Sequence, residues 1–320
     1  MVGKKTPDDI VTASILPVIR RLSPYATPNE ALARAIDAAA GKPVTYLEQS
    51  EPMFWGDTLE GPVLTEAAKR LSLTHLELEF DEAIFHDHLP FACSLDGQAL
   101  GGKTFTHDPA NGIYVPQGGS VDTTGPGVLE AKVTSSAPED VPAPHRGPIQ
   151  LQGQLMCTGY AWGAVCVLYR GNELRIFLYR VDEDERRAIT DAIHEFERRK
   201  RDIDWYDVLT SDDGNVAWAS VDDGAPALDL NNIEDGEYYA EMLIQAKADK
   251  KAAEQSIDIA EAGLKSILGN HEEGSVTVDG ADYYIKWPMR RTRAQPAKTV
   301  AAKPESVTRQ KTLTIKEVAR

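Results

Sequence analysis

The stretch that decides the fold is "GPGVLEAKVT", residues 125–134. Val128, Leu129, Ala131 and Val133 read as a short buried strand, yet Glu130 and Lys132 interrupt it. Successive side chains of a strand point to opposite faces, so Glu130 and Lys132 share one face while Leu129, Ala131 and Val133 share the other. A carboxylate and an ammonium on so apolar a strand have two readings. They are a solvated ion pair on a sheet edge, which is worth little, or they face a site.

Outward from that strand the chain reads as a mixed sheet flanked by helices. Upstream, "TPNEALARAIDAAAG" at 27–41 carries an N-cap Thr27, Pro28 in the first turn, Glu30 completing a capping box, and Gly41 at its end. "TASILPVIRRL" reads as a short helix opened by Ser14 as N-cap. "WGDTLEGPVLTEAAKRLSL" at 55–73 reads as a helix starting near Pro62, with Trp55 in the core and Glu60 paired with Asp57 in a capping box. "LELEF" at 76–80 alternates like a strand, and "FACSLDGQAL" at 91–100 reads as one strand ending at a turn. Residues 101–127 read as a long loop with a small hairpin. Downstream come a helix at 147–160 after Pro148, and the hairpin "AVCVLYRGNELRIFLYRVD". An amphipathic helix follows, with Ile189, Ile193 and Phe196 on one face. This is an α/β class with helices packed on a central mixed sheet.

Residues 1–210 form the expected main domain and 211–236 an acidic linker. Residues 237–287 form an extension of one long helix ended by Gly269 and a hairpin turning at Asp279-Gly280. Residues 288–320 form a basic, partly disordered tail. The chain has 320 residues and a net charge of −16. From Lys286 to Arg320 ten Lys/Arg stand against Glu305 and Glu317, a net of +8, so the other 285 residues carry −24. An acidic body disfavours nucleic acid unless a groove is locally basic or metal ions neutralise its carboxylates. The knot "ERRKRD" at 197–202 reads as a solvated helix end. No apolar run approaches the ~20 residues a membrane helix needs, and the N-terminus lacks the apolar core of a signal peptide. Cys93, Cys157 and Cys166 form no C-x-x-C pair, so a reducing cytoplasm is expected.

The opening question acquires an answer through Asp96 in "CSLDG". It lies 34 residues before Glu130, and two neighbouring strands ending at one sheet edge would join them. Two carboxylates with the backbone carbonyl between Glu130 and Lys132 make a hard oxygen site for Mg²⁺ or Mn²⁺. Lys132 would face the same site, beside a nucleophilic water, an arrangement suited to phosphodiester hydrolysis. "HDH" at 86–88 is metal-like in composition but reads as a polar loop.

D…E-x-K on adjacent strands resembles the PD-(D/E)xK nucleases. The wider order "VTAS" (11–14), "SPYA" (23–26), "WGDTLE" (55–60), "CSLDG" (93–97), "LEAKV" (129–133) and "QLQGQLMCTG" (150–159) resembles the lambda exonuclease/YqaJ recombinase family. The resemblance spans about residues 8–210 and implies a restriction-endonuclease-like core. It implies that Asp96 and Glu130 bind metal with the Ala131 carbonyl, that Lys132 positions the attacking water, and that Glu60 completes a second metal site. Gln150 would contact the water or phosphate, Gln152 is the other glutamine of the Q-x-Q, and Ser14 falls where the family binds a 5′-phosphate. It further implies a Mg²⁺- or Mn²⁺-dependent exonuclease that degrades one strand of double-stranded DNA from its 5′ end and leaves a 3′ overhang. A RecT- or beta-type single-strand annealing partner and a ring-shaped homotrimer are implied with it. A PD-(D/E)xK endonuclease or single-strand-specific nuclease, and a non-catalytic DNA-end or recombinase-partner module, are the alternative readings. The sequence departs from the family pattern at Leu95, where a proline is usual. It also lacks the arginine before "VTAS", where Pro7 or Asp8 stands and Lys4 or Lys5 could substitute.

Overall fold

The strand read at 125–134 forms over those residues, and it is no edge. In the computed structural model it lies inside a six-stranded sheet, hydrogen-bonded to a neighbour on each side. The structure describes residues 6–44, 48–78, 80–219 and 226–288. Lys4, Lys5 and the basic tail from 289 onward lie outside the described residues.

The chain begins with β1 (Val11–Thr12), a 3-10 turn (Ala13–Ile15) and the short helix α1 (Leu16–Ile19). Helix α2 (Pro28–Ala39) has the expected capping box between Thr27 and Glu30. Helix α3 (Glu51–Arg70) starts a full three turns before Pro62. Proline suits a first turn, which in the sequence points to Pro62 as the start. Pro52 holds that place instead, and Pro62 sits exposed inside the helix, where it leaves only the Thr58 carbonyl without an N–H donor. The capping-box role read for Glu60 therefore falls away. Trp55, read as core, is 47% exposed on the projecting first turns, beside exposed Met53 and Phe54.

Eight short strands lead to the decisive one: β2 (Thr74–Glu77), β3 (Ile84–Phe85), β4 (Phe91–Cys93), β5 (Gly97–Gly101), β6 (Thr104–Thr106), β7 (Ile113–Tyr114) and β8 (Ser120–Asp122) after β1, then β9 (Gly125–Thr134). Helix α4 (Pro148–Thr158), strands β10 (Trp162–Tyr169) and β11 (Glu173–Arg180), and helices α5 (Glu183–Asp202) and α6 (Ser211–Ala217) follow. The central sheet runs β2-β5-β9-β10-β11-β7. β9 is parallel to β10 and β7 is parallel to β11, while the other pairs are antiparallel, so the sheet is mixed. The "FACSLDGQAL" run is two strands, not one. β4 pairs with β1 and β3 in a separate small sheet, and the chain crosses at Ser94–Asp96 to enter the central sheet as β5. The 101–127 segment holds the small antiparallel pair β6–β8 and also the edge strand β7.

Alternation along β9 divides the core. Val128 packs with α1, α2, α4 and α5 through Leu16, Leu32, Leu155 and Phe196. Leu129 and Ala131 pack on the other face against Leu64, Ala67 and Leu71 of α3. Each such side chain taken fully from water contributes about 1.5–3 kcal/mol, which pins the register, since a slip by one residue would exchange the faces. Gly127 admits the indole of Trp162 from β10; a Cβ there would lie 2.2 Å from it.

The contacts divide the chain into Met1–Ala219 and Ser220–Arg320. The first unit runs past residue 210 because α6, in the segment expected to be linker, packs on α2. The second holds a 3-10 turn (Leu230–Asn232), the long helix α7 (Gly236–Leu268) and the hairpin β12 (Glu273–Val278) to β13 (Ala281–Lys286), with Asp279-Gly280 at its turn. Among the described residues no helix is long and apolar enough to cross a membrane.

Candidate active site

The register of β5 against β9 pairs Gly97 with Leu129. Antiparallel pairing therefore sets Asp96, the residue before β5, opposite Glu130. Asp96 Oδ2 accepts the Ala131 N–H at 2.9 Å. The N–H and C=O of one strand residue point to the same side, so the Ala131 carbonyl also faces this side, past the end of β5. Glu130 has no exposed surface. Its Oε1 pairs with the Lys132 ammonium, and its Oε2 accepts from Gln154 Nε2 at 2.6 Å. Gln154 Nε2 also donates to the Ser94 carbonyl at 3.1 Å, so one amide ties α4 to both β9 and the crossing that carries Asp96. Gln154 Oε1 is buried without a partner among the described residues. The Lys132 side chain keeps 29% of its surface exposed, while burial still weighs on its ammonium.

Glycine sets the position of Gln154. A Cβ at Gly153 would lie 2.6 Å from Leu16 and 2.9 Å from Phe91, so only glycine lets α4 lie this close to α1 and β4. The three glutamines of "QLQGQ" then separate by helical geometry. Positions four apart share a face, and positions two apart do not. Gln154 and half-buried Gln150 share the site-facing side, one turn apart. Gln152 points away. Its Nε2 donates to the Arg180 carbonyl at 2.8 Å and its Oε1 accepts from the Asp182 N–H at 3.0 Å. It fastens the β11–α5 junction. Gln154 was missed because Q-x-Q was read at 150 and 152; the i, i+4 spacing on one helix was the available signal.

Glu60, on α3, lies near enough for its charge to act on Lys132. Ser14 is not an N-cap. It sits exposed inside the 3-10 turn, its hydroxyl 3.1 Å from that of Thr12. "HDH" is a local turn: His86 Nδ1 accepts from the backbone N–H groups of His88 and Leu89.

Burial and the neighbouring Glu130 charge push the Asp96 carboxyl up to about 7. Burial works against the Lys132 ammonium, yet the charges of Glu130, Asp96 and Glu60 outweigh it and hold its pKa above the ordinary lysine value. A hydrogen bond with the Cys157 thiol, together with burial, pushes Cys93 up, and burial pushes Cys166 up. These thiols stay protonated and are poor metal ligands.

Among the described residues no three His, Cys, Asp or Glu side chains form a ready metal cluster. The donor set that does converge is two carboxylates, Asp96 and Glu130, and a backbone carbonyl. All are hard oxygens, and the upward push on Asp96 comes first from its burial and then from the Glu130 charge, against which Lys132 works. That chemistry fits a hard divalent cation.

No protein-family model matches the chain, and no curated protein matches it. Among solved structures it is similar to an alkaline exonuclease. That protein is LHK-Exo from Laribacter hongkongensis. Its complex with dAMP superposes with a TM-score of 0.44 at 16% identity, covering 61% of this chain and 89% of that one. A second LHK-Exo structure gives the same score and identity over 62% and 90%. SSO0001 superposes with a TM-score of 0.35 at 11% identity over 66% and 83%.

Proposed function

We propose that this chain is a metal-dependent DNA exonuclease that degrades one strand of linear duplex DNA from its 5′ end. The 3′ overhang it leaves would serve single-strand annealing recombination. The observation that carries this reading is the fully buried Glu130, held between Lys132 and Gln154 with Asp96 directly across the strand pair. A protein does not bury a carboxylate on a central strand beside a second one cheaply, because each buried charge costs several kcal/mol. The order of motifs along the chain supports the choice of exonuclease and of DNA.

Mg²⁺ or Mn²⁺ would be held by Asp96, Glu130 and the Ala131 carbonyl, with Glu60 at a second ion. When bound it would offset charge on the phosphate and the leaving oxygen. The chain's own groups do the rest. The Lys132 ammonium, paired with Glu130, would hold the attacking water by donating to it or to a phosphate oxygen. Gln154 fixes the Glu130 carboxylate, and its free carbonyl oxygen can accept from that water. Gln150, one turn away, faces the same space. Water attacks phosphorus, the bond from phosphorus to the 3′ oxygen breaks, and the leaving oxygen takes a proton. A RecT- or beta-type annealing protein as partner, and a homotrimeric ring in a bacterial cytoplasm, belong to the same proposal.

The test is digestion of linear duplex DNA carrying distinct 5′ and 3′ labels, beside a covalently closed circle, with Mg²⁺ and with Lys132→Ala as control. Mononucleotides released first from the 5′ label, an intact circle and a dead variant are expected. A nicked circle makes it an endonuclease using the same groups. Binding of ends without cleavage of either substrate overturns the catalytic reading.

A further inference from the structure

Helix α7 is 33 residues long, about 50 Å at 1.5 Å rise per residue. Within its unit it contacts the 3-10 turn before it and, through Leu268, the hairpin after it. Between those ends one stripe of its surface is apolar at helical spacing. Tyr239, Met242, Ile257, Leu264 and Ile267 lie on it, between 39% and 82% exposed. Helices in proteins draw most of their stability from packing an apolar face rather than from propensity, and an apolar stripe of this kind faces a partner.

The stripe has an internal symmetry. Counted outward from Ala253, Ala246 and Ala260 lie seven residues to either side. Leu243 and Leu264 lie at ten and eleven, and Tyr239 and Ile267 at fourteen. Large residues stand towards both ends, and alanines stand at the centre with Ile257. Reversed on itself about Ala253, the stripe sets Ala246 against Ala260, Leu243 against Leu264 and Tyr239 against Ile267, while Ile257 meets Asp249.

The charges select the same arrangement. One flank of the stripe reads Lys247, Lys251, Glu254, Asp258, Glu261, Lys265: two cations, three anions and a last cation, at four- and three-residue spacing, with Glu261 and Lys265 paired to each other within the chain. In an antiparallel helix pair each flank meets its own counterpart from the other chain, so Lys247 and Lys251 of one copy face Asp258 and Glu254 of the other. In a parallel pair that flank would meet the opposite one, where Asp249 is the only charge among Gln245, Ser256 and Gly263.

We propose that α7 pairs antiparallel with α7 of a second copy of this chain, about a two-fold axis at Ala253. Such a contact is isologous and therefore distinct from the head-to-tail contact that closes a ring. It doubles whatever assembly the first unit forms.

Sedimentation velocity on the full chain tests this. Ile257→Asp is expected to halve the particle mass. Lys247→Glu with Lys251→Glu is expected to do the same while leaving the stripe intact, and adding Glu254→Lys with Asp258→Lys is expected to restore the doubled mass. Helical content by circular dichroism, unchanged across the charge variants, separates lost pairing from lost folding. Oxidative cross-linking fixes direction: a mixture of Ala246→Cys and Ala260→Cys chains should cross-link to each other, with the unsubstituted chain as control for its native thiols. A mass unaffected by Ile257→Asp, a fourfold charge variant that stays dissociated, or Ala246→Cys joining to itself overturns the proposal.

Discussion

Two Glu–Lys pairs in this chain use the same chemistry in opposite settings. Lys132 and Glu130 meet on a central strand, where Glu130 is sealed from solvent. Lys265 and Glu261 meet one turn apart on α7, with 44% and 57% of their side chains exposed. Water and salt screen the second pair, which is worth a few tenths of a kcal/mol. The first has lost its water, so its partners must satisfy it in full: Lys132 at one oxygen, Gln154 at the other. The difference teaches that a sequence motif acquires energy from depth, and that E-x-K carries information only once the strand is known to be interior.

Breaking the buried pair should have the largest effect. Lys132→Ala or Glu130→Gln is expected to lower DNA hydrolysis by roughly 10³-fold, read in single-turnover assays, whereas Lys265→Ala should leave the rate unchanged. In stability the contrast is smaller. Lys132→Ala leaves a buried carboxylate short of its cation and should cost about 3 kcal/mol in urea unfolding at neutral pH; Lys265→Ala should stay within ~0.5 kcal/mol.

Asp96 sharpens the comparison through pH. Its carboxyl lies near 7 folded against an ordinary value of 3.8. Between those values the folded chain keeps a proton that the unfolded chain has released, so this contribution to stability is full below pH 4 and is lost as pH rises through 7. With a chelator present, unfolding free energy should fall across that window by on the order of 4 kcal/mol, and Asp96→Asn should flatten the slope. Metal affinity should move oppositely, strengthening as pH rises through 7.

The smallest effects separate the glutamines. Gln154→Ala removes a donor from Glu130 and should cost roughly 1–3 kcal/mol together with activity. Gln152→Ala should cost a similar amount of stability, since it strands the Arg180 carbonyl and the Asp182 N–H, but should leave the rate of the folded fraction intact.

Most of the elements are legible in the residues. The α2 capping box, the β10–β11 hairpin, the face of α5 and the whole of β9 follow from spacing and turn chemistry, which act over a few residues. Three readings failed, two to another local signal and one to tertiary pairing. Pro62 suits a helix start, but Pro52 takes the first turn and α3 runs on through Pro62. "FACSLDGQAL" is continuous in pattern, yet its halves pair with different sheets. Ser14 resembles an N-cap, but the turn begins at Thr12.

The sequence by itself determined the alternation that puts Glu130 with Lys132 on one face of a strand. It also determined the helix that spaces the glutamines, and the charge order on α7, because these depend only on the geometry of a single element. Tertiary structure alone decided that β9 is interior and that Asp96 lies across from Glu130. It also decided that Gln154, rather than Gln152, reaches the carboxylate. Those depend on which strands pair and how closely α4 approaches at Gly153, and such contacts join residues whose separation along the chain carries no trace of their meeting.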